Sequence, residues 1–407
     1  MSLAGASSLA LLAGVLGNAT VVDWAVGSRG ELGGGYIPVN AAADALPAMQ
    51  AILDLRGGMR LRSPSETLIL RTGPRLYGLF PNSVGIDRPL LFYTLDGNYV
   101  VRLSPRWTSS LRLSSGIGEL SYATLSQVFL PGTGAAATAV IPLAIAALQY
   151  DNTWLTSRRN SLTVSAGANG QRWLSSDAPG TDAPIPNFSA WTLAVTDSYR
   201  VTKDHSLSLS LGSDWLLGNT TSDFVTLRGW AGWTWQTDAQ STFGVRGGAD
   251  FVHSLEESRN RWLPAASVDY ATRGGDAQHR RWTLHYAGGV RGFFDRFNFT
   301  YRPQGFVQFD ATIDWDRHWQ SGAALFASTS ITSEPVAQGF YETFVGLDLP
   351  QRYRASTQLD LLFGLRNLLR GPHLSSLDSD SFQGQFIGYI GFDWTDGTDA
   401  LHGQFAR

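Results

Sequence analysis

The chain has 407 residues, of which 43% are hydrophobic, 12% are aromatic and only 16% are charged. Charged residues fall well below the roughly one quarter that soluble domains carry, and the net charge of −3 gives no case for nucleic-acid binding. Because the sequence contains no cysteine, disulfides and thiolate metal sites are excluded.

The first residues resemble an export signal. Leu9 to Leu16 form a short apolar stretch, and small residues suited to cleavage follow up to Ala19, although no basic segment precedes them. We predict a possible signal peptide over residues 1–19 and a single domain over 20–407, with an ordinary apolar N-terminal segment as the alternative. No apolar run reaches the roughly 18 residues that a helix needs to cross a bilayer.

From residue 31 onward the sequence repeats one pattern. Stretches of alternating apolar and polar residues are separated by breaks, and short breaks alternate with long ones. The pattern predicts strands at 31–38, 50–61, 67–79, 89–103, 107–122, 139–154, 161–174, 188–201, 205–217, 223–236, 240–254, 262–272, 280–295, 304–316, 320–332, 339–349, 353–365 and 382–395. Strands joined by tight turns at one end and long loops at the other are typical of a transmembrane antiparallel up-and-down β-barrel. We therefore predict an all-β barrel of about eighteen strands in the outer membrane of a Gram-negative bacterium, with its short turns in the periplasm.

The alternation also predicts which side chains meet lipid. In strand 304–316, Val307 and Phe309 share one face, and Asp310 and Asp314 share the other. A face rich in carboxylates cannot contact lipid, so it is predicted to line the lumen. Aromatic residues near strand ends on the apolar face predict a girdle in contact with outer-membrane lipid, formed by Trp154, Tyr199, Trp215, Trp235, Trp315, Tyr353 and Trp394.

A barrel of this width encloses an aqueous channel unless something plugs it, so the lining carries the function. The predicted basic lining is Arg56, Arg60, Arg71, Arg75, Arg102 and Arg112. The predicted acidic lining is Asp250, Asp269, Asp310, Asp314, Asp316, Glu342, Asp348 and Asp360. The predicted aromatic lining, whose rings are candidate contacts for sugars, is Tyr77, Phe92, Trp230, Phe293, Phe326 and Phe344. The basic strands are expected to face the acidic strands across the lumen, and this field suits hydrophilic permeants.

Two other interpretations of this lining remain open. The charges can pair with lumen neighbours and merely keep the interior wet, and the aromatic rings can pack against an inward-folded loop. For catalysis the sequence offers no nucleophile elbow and no pair of histidines at metal-ligand spacing. Neither an enzyme nor a cofactor is therefore predicted.

Some strand openings carry a resemblance to known exporters. The segment Gly30-Glu31-Leu32-Gly33-Gly34-Gly35-Tyr36 and the X-Pro-Arg segments Gly73-Pro74-Arg75 and Ser104-Pro105-Arg106 look like those of outer-membrane barrels that export exopolysaccharide. The chain is similar in size to the eighteen-stranded barrels of myxobacterial exopolysaccharide pathways, and more distantly resembles the poly-N-acetylglucosamine, cellulose and alginate exporters. The resemblance implies a polysaccharide substrate and a separate periplasmic polysaccharide-export protein as partner, because no helical 34-residue repeat precedes the barrel.

A general or substrate-selective diffusion porin explains the barrel and its charges equally well. Diffusion porins commonly fold a long acidic loop inward, whereas the longest loop predicted here, 123–138, is poor in charge, which favours the exporter. A barrel that serves only as an anchor or adhesin is the third hypothesis, and its loops are short for that role.

Overall fold

The computed structural model describes residues 21–38, 45–80, 88–121, 140–174, 187–218, 223–255, 260–275, 280–295, 300–331, 343–371 and 383–397. Across these residues the chain forms eighteen strands. They are β1 (Val21–Pro38), β2 (Ala45–Arg62), β3 (Glu66–Phe80), β4 (Leu90–Ser104), β5 (Trp107–Ser121), β6 (Val140–Leu155), β7 (Asn160–Trp173), β8 (Phe188–Arg200), β9 (His205–Gly218), β10 (Phe224–Gln236), β11 (Ser241–Ser254), β12 (Asn260–Gly274), β13 (Arg281–Asp295), β14 (Thr300–Asp314), β15 (Trp319–Ser330), β16 (Thr343–Arg354), β17 (Leu359–Gly371) and β18 (Gln383–Gly397).

The strands close into a single antiparallel barrel. Each strand pairs with its neighbours in sequence, and β1 pairs with both β2 and β18, so the sheet closes on itself. The closing seam pairs Ala25 with Gly397 at one end and Tyr36 with Phe386 at the other. This confirms the predicted eighteen-stranded up-and-down barrel. None of the described residues belongs to a helix that is long and apolar enough to cross a membrane.

The outer surface is apolar and carries aromatic rings at both ends. Large apolar side chains such as Leu209, Leu211 and Ile390 are more than half exposed, which is costly in water and favourable in lipid. At the end with the short turns the outer rings include those of Trp24, Trp107, Trp154, Tyr199, Trp235, Trp282, Trp315, Tyr353 and Trp394. At the other end they include Tyr36, Trp191, Trp215 and Trp262. A closed barrel with an apolar belt between aromatic rings is the architecture of the bacterial outer membrane, and the chain is located there.

The structure differs from the predicted strands mainly at the start, at the turn after β14 and at the turn after β16. The break predicted at 350–352 lies inside β16, which continues to Arg354, so β17 begins at Leu359, six residues after its predicted start. Strand β1 begins at Val21, ten residues before its predicted start, because the alternation of Asp23 with exposed Val22 and Trp24 extends the pattern toward the N-terminus. The possible signal peptide, 1–19, and the loop 123–138 lie outside the described residues.

Asp316 was predicted to line the pore and instead lies in the turn between β14 and β15. Its Oδ1 accepts hydrogen bonds from the backbone N–H groups of His318 at 2.6 Å and Trp319 at 2.8 Å. These two bonds lower the pKa of Asp316 below its ordinary value. Asp316 is therefore a turn-forming carboxylate at the periplasmic rim.

Glycine at position 73 is required by a local break in strand pairing. The ladder between β2 and β3 passes from Asp54–Arg75 to Gly57–Thr72, so Gly73 lies where the ladder is interrupted. A Cβ at Gly73 would stand 1.7 Å from the carbonyl oxygen of Leu55.

We expect Gly73→Ala to destabilise the folded barrel by about 1–3 kcal/mol, because the backbone must shift to admit the methyl group. The measurement is the temperature at which the purified protein loses its folded mobility in gel electrophoresis. Gly247→Ala is the matched control, since a Cβ at that position meets no atom within 4 Å. Equal unfolding temperatures for the two variants would contradict this account.

Candidate pore and its constriction

One half of the inner wall, formed by β16–β18 and β1–β3, carries closed ion pairs. Arg60 donates to Asp23 Oδ2 from Nε at 2.8 Å and Nη2 at 2.5 Å. Arg75 forms a bidentate pair with Asp54, at 2.5 and 2.9 Å. Further pairs are Arg56 with Asp393, Arg352 with Asp360, and Arg366 with Glu31 at 3.1 Å and with Asp348 at 3.6 Å, beside looser pairs of 3.8 Å between Arg29 and Glu31 and between Arg354 and Asp360.

These pairs show that the predicted field across the lumen is wrong for this half of the barrel. Arg56, Arg60 and Arg75 do not depend on an acidic wall across the lumen, because Asp393, Asp23 and Asp54 neutralise them from adjacent or next-but-one strands. Likewise, Asp348 and Asp360 are matched by arginines of β16 and β17. Neighbouring strands lie about 5 Å apart, so a short-range pair is far stronger than an interaction across a wide, wet lumen.

The other half of the wall, from β3 to β11, borders an open cavity of about 1130 Å³. Its uncharged polar lining, set among alanine, glycine and leucine residues, consists of hydroxyl and amide groups that include those of Asn98, Gln149, Ser165, Asn169, Thr192, Thr196, Ser198, Ser208, Ser210 and Thr234. Four guanidinium groups, those of Arg71, Arg112, Arg228 and Arg246, share it with the carboxylates of Asp96 and Asp214. The hydroxyl, amide and charged groups of this surface suit water and hydrophilic solutes.

The far end of the β13–β14 hairpin leaves the wall and folds into the lumen. Strand β13 pairs with β12 only from Trp282 to Val290, and β14 pairs with β15 only from Gln304 onward. Beyond these points the two strands pair only with each other. Tyr301, 5% exposed, packs in one apolar cluster with the inward side chains Phe188, Ala190, Leu216, Val252 and Leu263, which belong to β8, β9, β11 and β12. The hairpin end therefore crosses in front of β12 and β11 and narrows the lumen.

Polar contacts attach this hairpin end to β9–β11. Arg228 Nη2 donates to the hydroxyl of Tyr301 at 3.3 Å, and the same guanidinium pairs with Asp214. Asp250, 2% exposed, accepts hydrogen bonds from the backbone N–H of Gly292 and from Tyr301. A Cβ at Gly292 would stand 2.5 Å from Asp250 Oδ2, so glycine lets the hairpin approach the carboxylate.

A second apolar cluster lies on the opposite wall at the same, extracellular end. Ala48, Tyr77, Leu79, Leu90, Ile387 and Tyr389 pack together on the inner face of β2–β4 and β18. Because strands nine apart face each other in a ring of eighteen, this cluster faces the one around Tyr301. The extracellular end of the lumen is thus lined by apolar packing, and the periplasmic end by polar groups.

The predicted aromatic lining divides accordingly. Tyr77, Phe92 and Phe344 are each less than 5% exposed, so their rings pack within the wall and are closed to a sugar; the ring of Phe92 covers Gly116. Trp230 borders the cavity. Phe326 is half-buried opposite Gly346, and Phe293 lies in the hairpin end, so neither belongs to the cavity wall.

The other predicted charges have varied surroundings. Arg71 and Arg112 border the cavity, and Arg102 is exposed at the periplasmic end of β4. Asp310 lies 3.6 Å from His285 and accepts from Gln308 at 2.8 Å. Asp314 accepts from Gln320 at 2.7 Å; Asp269 is half-buried beside Gly244; Glu342 lies outside the described residues.

Sequence reasoning missed the residues that hold the hairpin. Tyr301 and Gly292 carry no signal in the sequence that separates an inward-folded hairpin from the wall. Asp23, Glu31 and Asp393 were missed as ion-pair partners, although alternation within β1 and β18 places all three on the inner face. Extending the alternation to Val21 is the signal that would have found Asp23, and Glu31 already lay at the start of the predicted strand 31–38.

Comparison with known proteins adds fold similarity only. No protein-family model matches the sequence, and no curated protein matches it. OccK11 (OpdR) of Pseudomonas aeruginosa is 12% identical, with a TM-score of 0.44 over 93% of this chain and 96% of that one. The outer membrane protein OpdK of the same species is 12% identical, with a TM-score of 0.45 over 93% and 99%. The copper transporter OprC is 10% identical, with a TM-score of 0.47 over 92% and 80%. Identities and scores this low leave the function to be derived from the chain's own residues.

We expect Asp250→Ala to loosen the constriction. Loss of the hydrogen bonds to Gly292 and Tyr301 costs about 1–3 kcal/mol, which raises the population of a detached hairpin end by on the order of tenfold. Single-channel recording should then show a higher mean conductance and more frequent transitions between levels. Asp269→Ala, which removes a lumen-side carboxylate from the next strand, is the control, and an identical change in both variants would contradict the assignment.

Proposed function

We propose that the chain is a passive, substrate-selective channel for hydrophilic solutes. The observation that carries the proposal is the hydroxyl- and amide-lined cavity on β3–β11, bordered at its extracellular end by the inward-folded hairpin. Hydroxyl and amide groups replace part of the hydration shell of a polar solute, while the barrel wall separates it from lipid. The hairpin sets the size of solute that passes, as a loop folded into the lumen does in a selective pore.

The proposal predicts a measurable aperture that depends on the hairpin. In planar bilayers the purified protein should give stepwise conductance, and liposomes that contain it should swell in small sugars and not in long oligosaccharides. Replacing residues 292–303 by a short glycine–serine turn removes the constriction, so both the conductance and the size limit should rise. The wild-type size limit persisting in the shortened variant would refute the role of the hairpin, and silence of both proteins would refute the channel itself.

Export of a secreted polysaccharide is the second candidate function. It is favoured by the distribution of polar and apolar groups along the lumen, since the polar end opens to the periplasm, from which a polymer would arrive. In this hypothesis a periplasmic polysaccharide-export protein delivers the chain, and the two apolar clusters separate to let it out. The test measures the amount of secreted polysaccharide in a strain that lacks the gene. A normal amount rules out export and leaves the diffusion channel. A loss of secreted polysaccharide that the hairpin-shortened variant does not restore favours the exporter.

A further inference from the structure

The periplasmic rim below the cavity carries a one-sided group of cations. Three consecutive hairpin turns, those joining β4 to β5, β6 to β7 and β8 to β9, hold or adjoin all of them. The group, named here the basic rim, consists of Arg102, Arg106, Arg158, Arg159, Arg200 and Lys203, all exposed. It occupies six adjacent strands of the eighteen, which are among those that border the cavity.

The positive charge of the basic rim is almost uncompensated. Among the described residues, none of its five arginines makes an ion pair, in contrast to the arginines of β2, β3, β16 and β17. Lys203 lies 3.9 Å from Asp204, and with 90% of the lysine side chain exposed such a pair contributes little. An exposed arginine cluster that forms no ion pairs attracts anions from solution.

The basic rim is continuous with the cavity. Arg200 lies two positions after Ser198 on β8, and Arg102 lies four positions after Asn98 on β4. Side chains two or four apart on a strand share a face, so both arginines stand on the inner wall below residues that border the cavity. Arg71, Arg112 and Arg246 continue the basic surface upward within the cavity.

The rest of the periplasmic rim has mixed charge. Asp238 lies in the turn after β10, Asp316 lies beside Arg317 in the turn after β14, and Asp396 lies near the end of β18. Backbone hydrogen bonds lower the pKa values of Asp238 and Asp316, so both carboxylates stay ionised at neutral pH. Cations whose role is to bind lipid headgroups would be expected around the whole circumference of the barrel, because lipid surrounds it on every side. A patch confined to the strands that border the cavity instead suits a solute on its way into the lumen.

We propose that the basic rim is the anion-collecting entrance of the pore, and that the preferred solutes are multivalent anions arriving from the periplasm. This rests on the proposed function of a hydrophilic channel. The rim raises the local concentration of anions at the periplasmic mouth, the cavity arginines carry the attraction inward, and the attraction grows with solute charge. Because the surface is exposed to water, the effect weakens as ionic strength rises.

The test is the ratio of anion to cation permeability of the full-length protein in planar bilayers. It is taken from reversal potentials in a potassium chloride gradient, and then again with trisodium citrate added to one side at a time. One variant carries Arg106→Gln, Arg158→Gln, Arg159→Gln and Arg200→Gln. Its matched control carries Arg273→Gln, Arg280→Gln, Arg281→Gln and Arg317→Gln, an equal loss of charge on the opposite part of the rim.

We expect anion preference in the wild type, a fall of roughly tenfold or more in the first variant at low salt, and a much smaller fall in the control. Citrate should reduce chloride current more strongly from the periplasmic side. Equal falls in both variants, or no fall in either, would overturn the proposal while leaving the channel intact. Absence of conductance in the wild type would instead overturn the proposed function. Folded mobility of each variant in gel electrophoresis shows that a loss of anion preference is electrostatic and does not come from unfolding. If the substitutions change only insertion into phosphatidylglycerol vesicles, the rim binds lipid and the proposal is overturned.

Discussion

The structure depends on one constraint: the hydrocarbon core of the membrane offers no hydrogen-bond partner, so the backbone N–H and C=O groups that cross it must pair with each other. In lipid an unpaired peptide group costs several kcal/mol, so a sheet can cross only if its two edges meet. Here they meet where β1 lies beside β18. Closure fixes the faces of all the strands at once, because successive residues point to opposite sides of a sheet. The apolar outer belt, the wet interior and the position of every charge follow from that single condition.

Most of the fold could be predicted from the sequence because closure and alternation act on every strand in the same way. Turn length and the alternation of side chains between the two faces of a strand are enough to predict the number of strands and the compartment. They are also enough to predict that Trp235 and Tyr353 point outward. The arrangement inside the lumen depends on distances between strands that alternation does not give. Arg56 therefore looked unopposed until the structure placed Asp393, on β18, beside it. The inward fold of the hairpin could not be predicted for the same reason. Alternation along β14 assigns Tyr301 to the outward face, but the fold of the hairpin buries it in the lumen.

The charges of the molecule perform different tasks in different places. In the part of the wall around the closing seam, arginines and carboxylates satisfy each other. Two of these pairs join strands that are not adjacent, Arg366 of β17 with Glu31 of β1 and Arg56 of β2 with Asp393 of β18. Around the cavity the hydroxyl groups are more numerous than the charges, and the guanidinium groups exceed the carboxylates. Net charge for the whole chain, at −3, conceals this division. A global charge thus says little about what a channel admits, whereas the placement of the individual arginines along the lumen and at its rim says a great deal.

The closing seam also has a consequence for how the barrel is made. Every other strand pairing joins neighbours in sequence and can form as a local hairpin, but Ala25 must find Gly397, at the far end of the chain. The loop closed by that contact is the longest the molecule contains, and its entropic cost is compensated only when the whole sheet is in place. Until then both terminal strands expose unpaired edges that can recruit another chain. Assembly is therefore expected to be sequential along the hairpins, with closure as the last and slowest step and aggregation as its competitor.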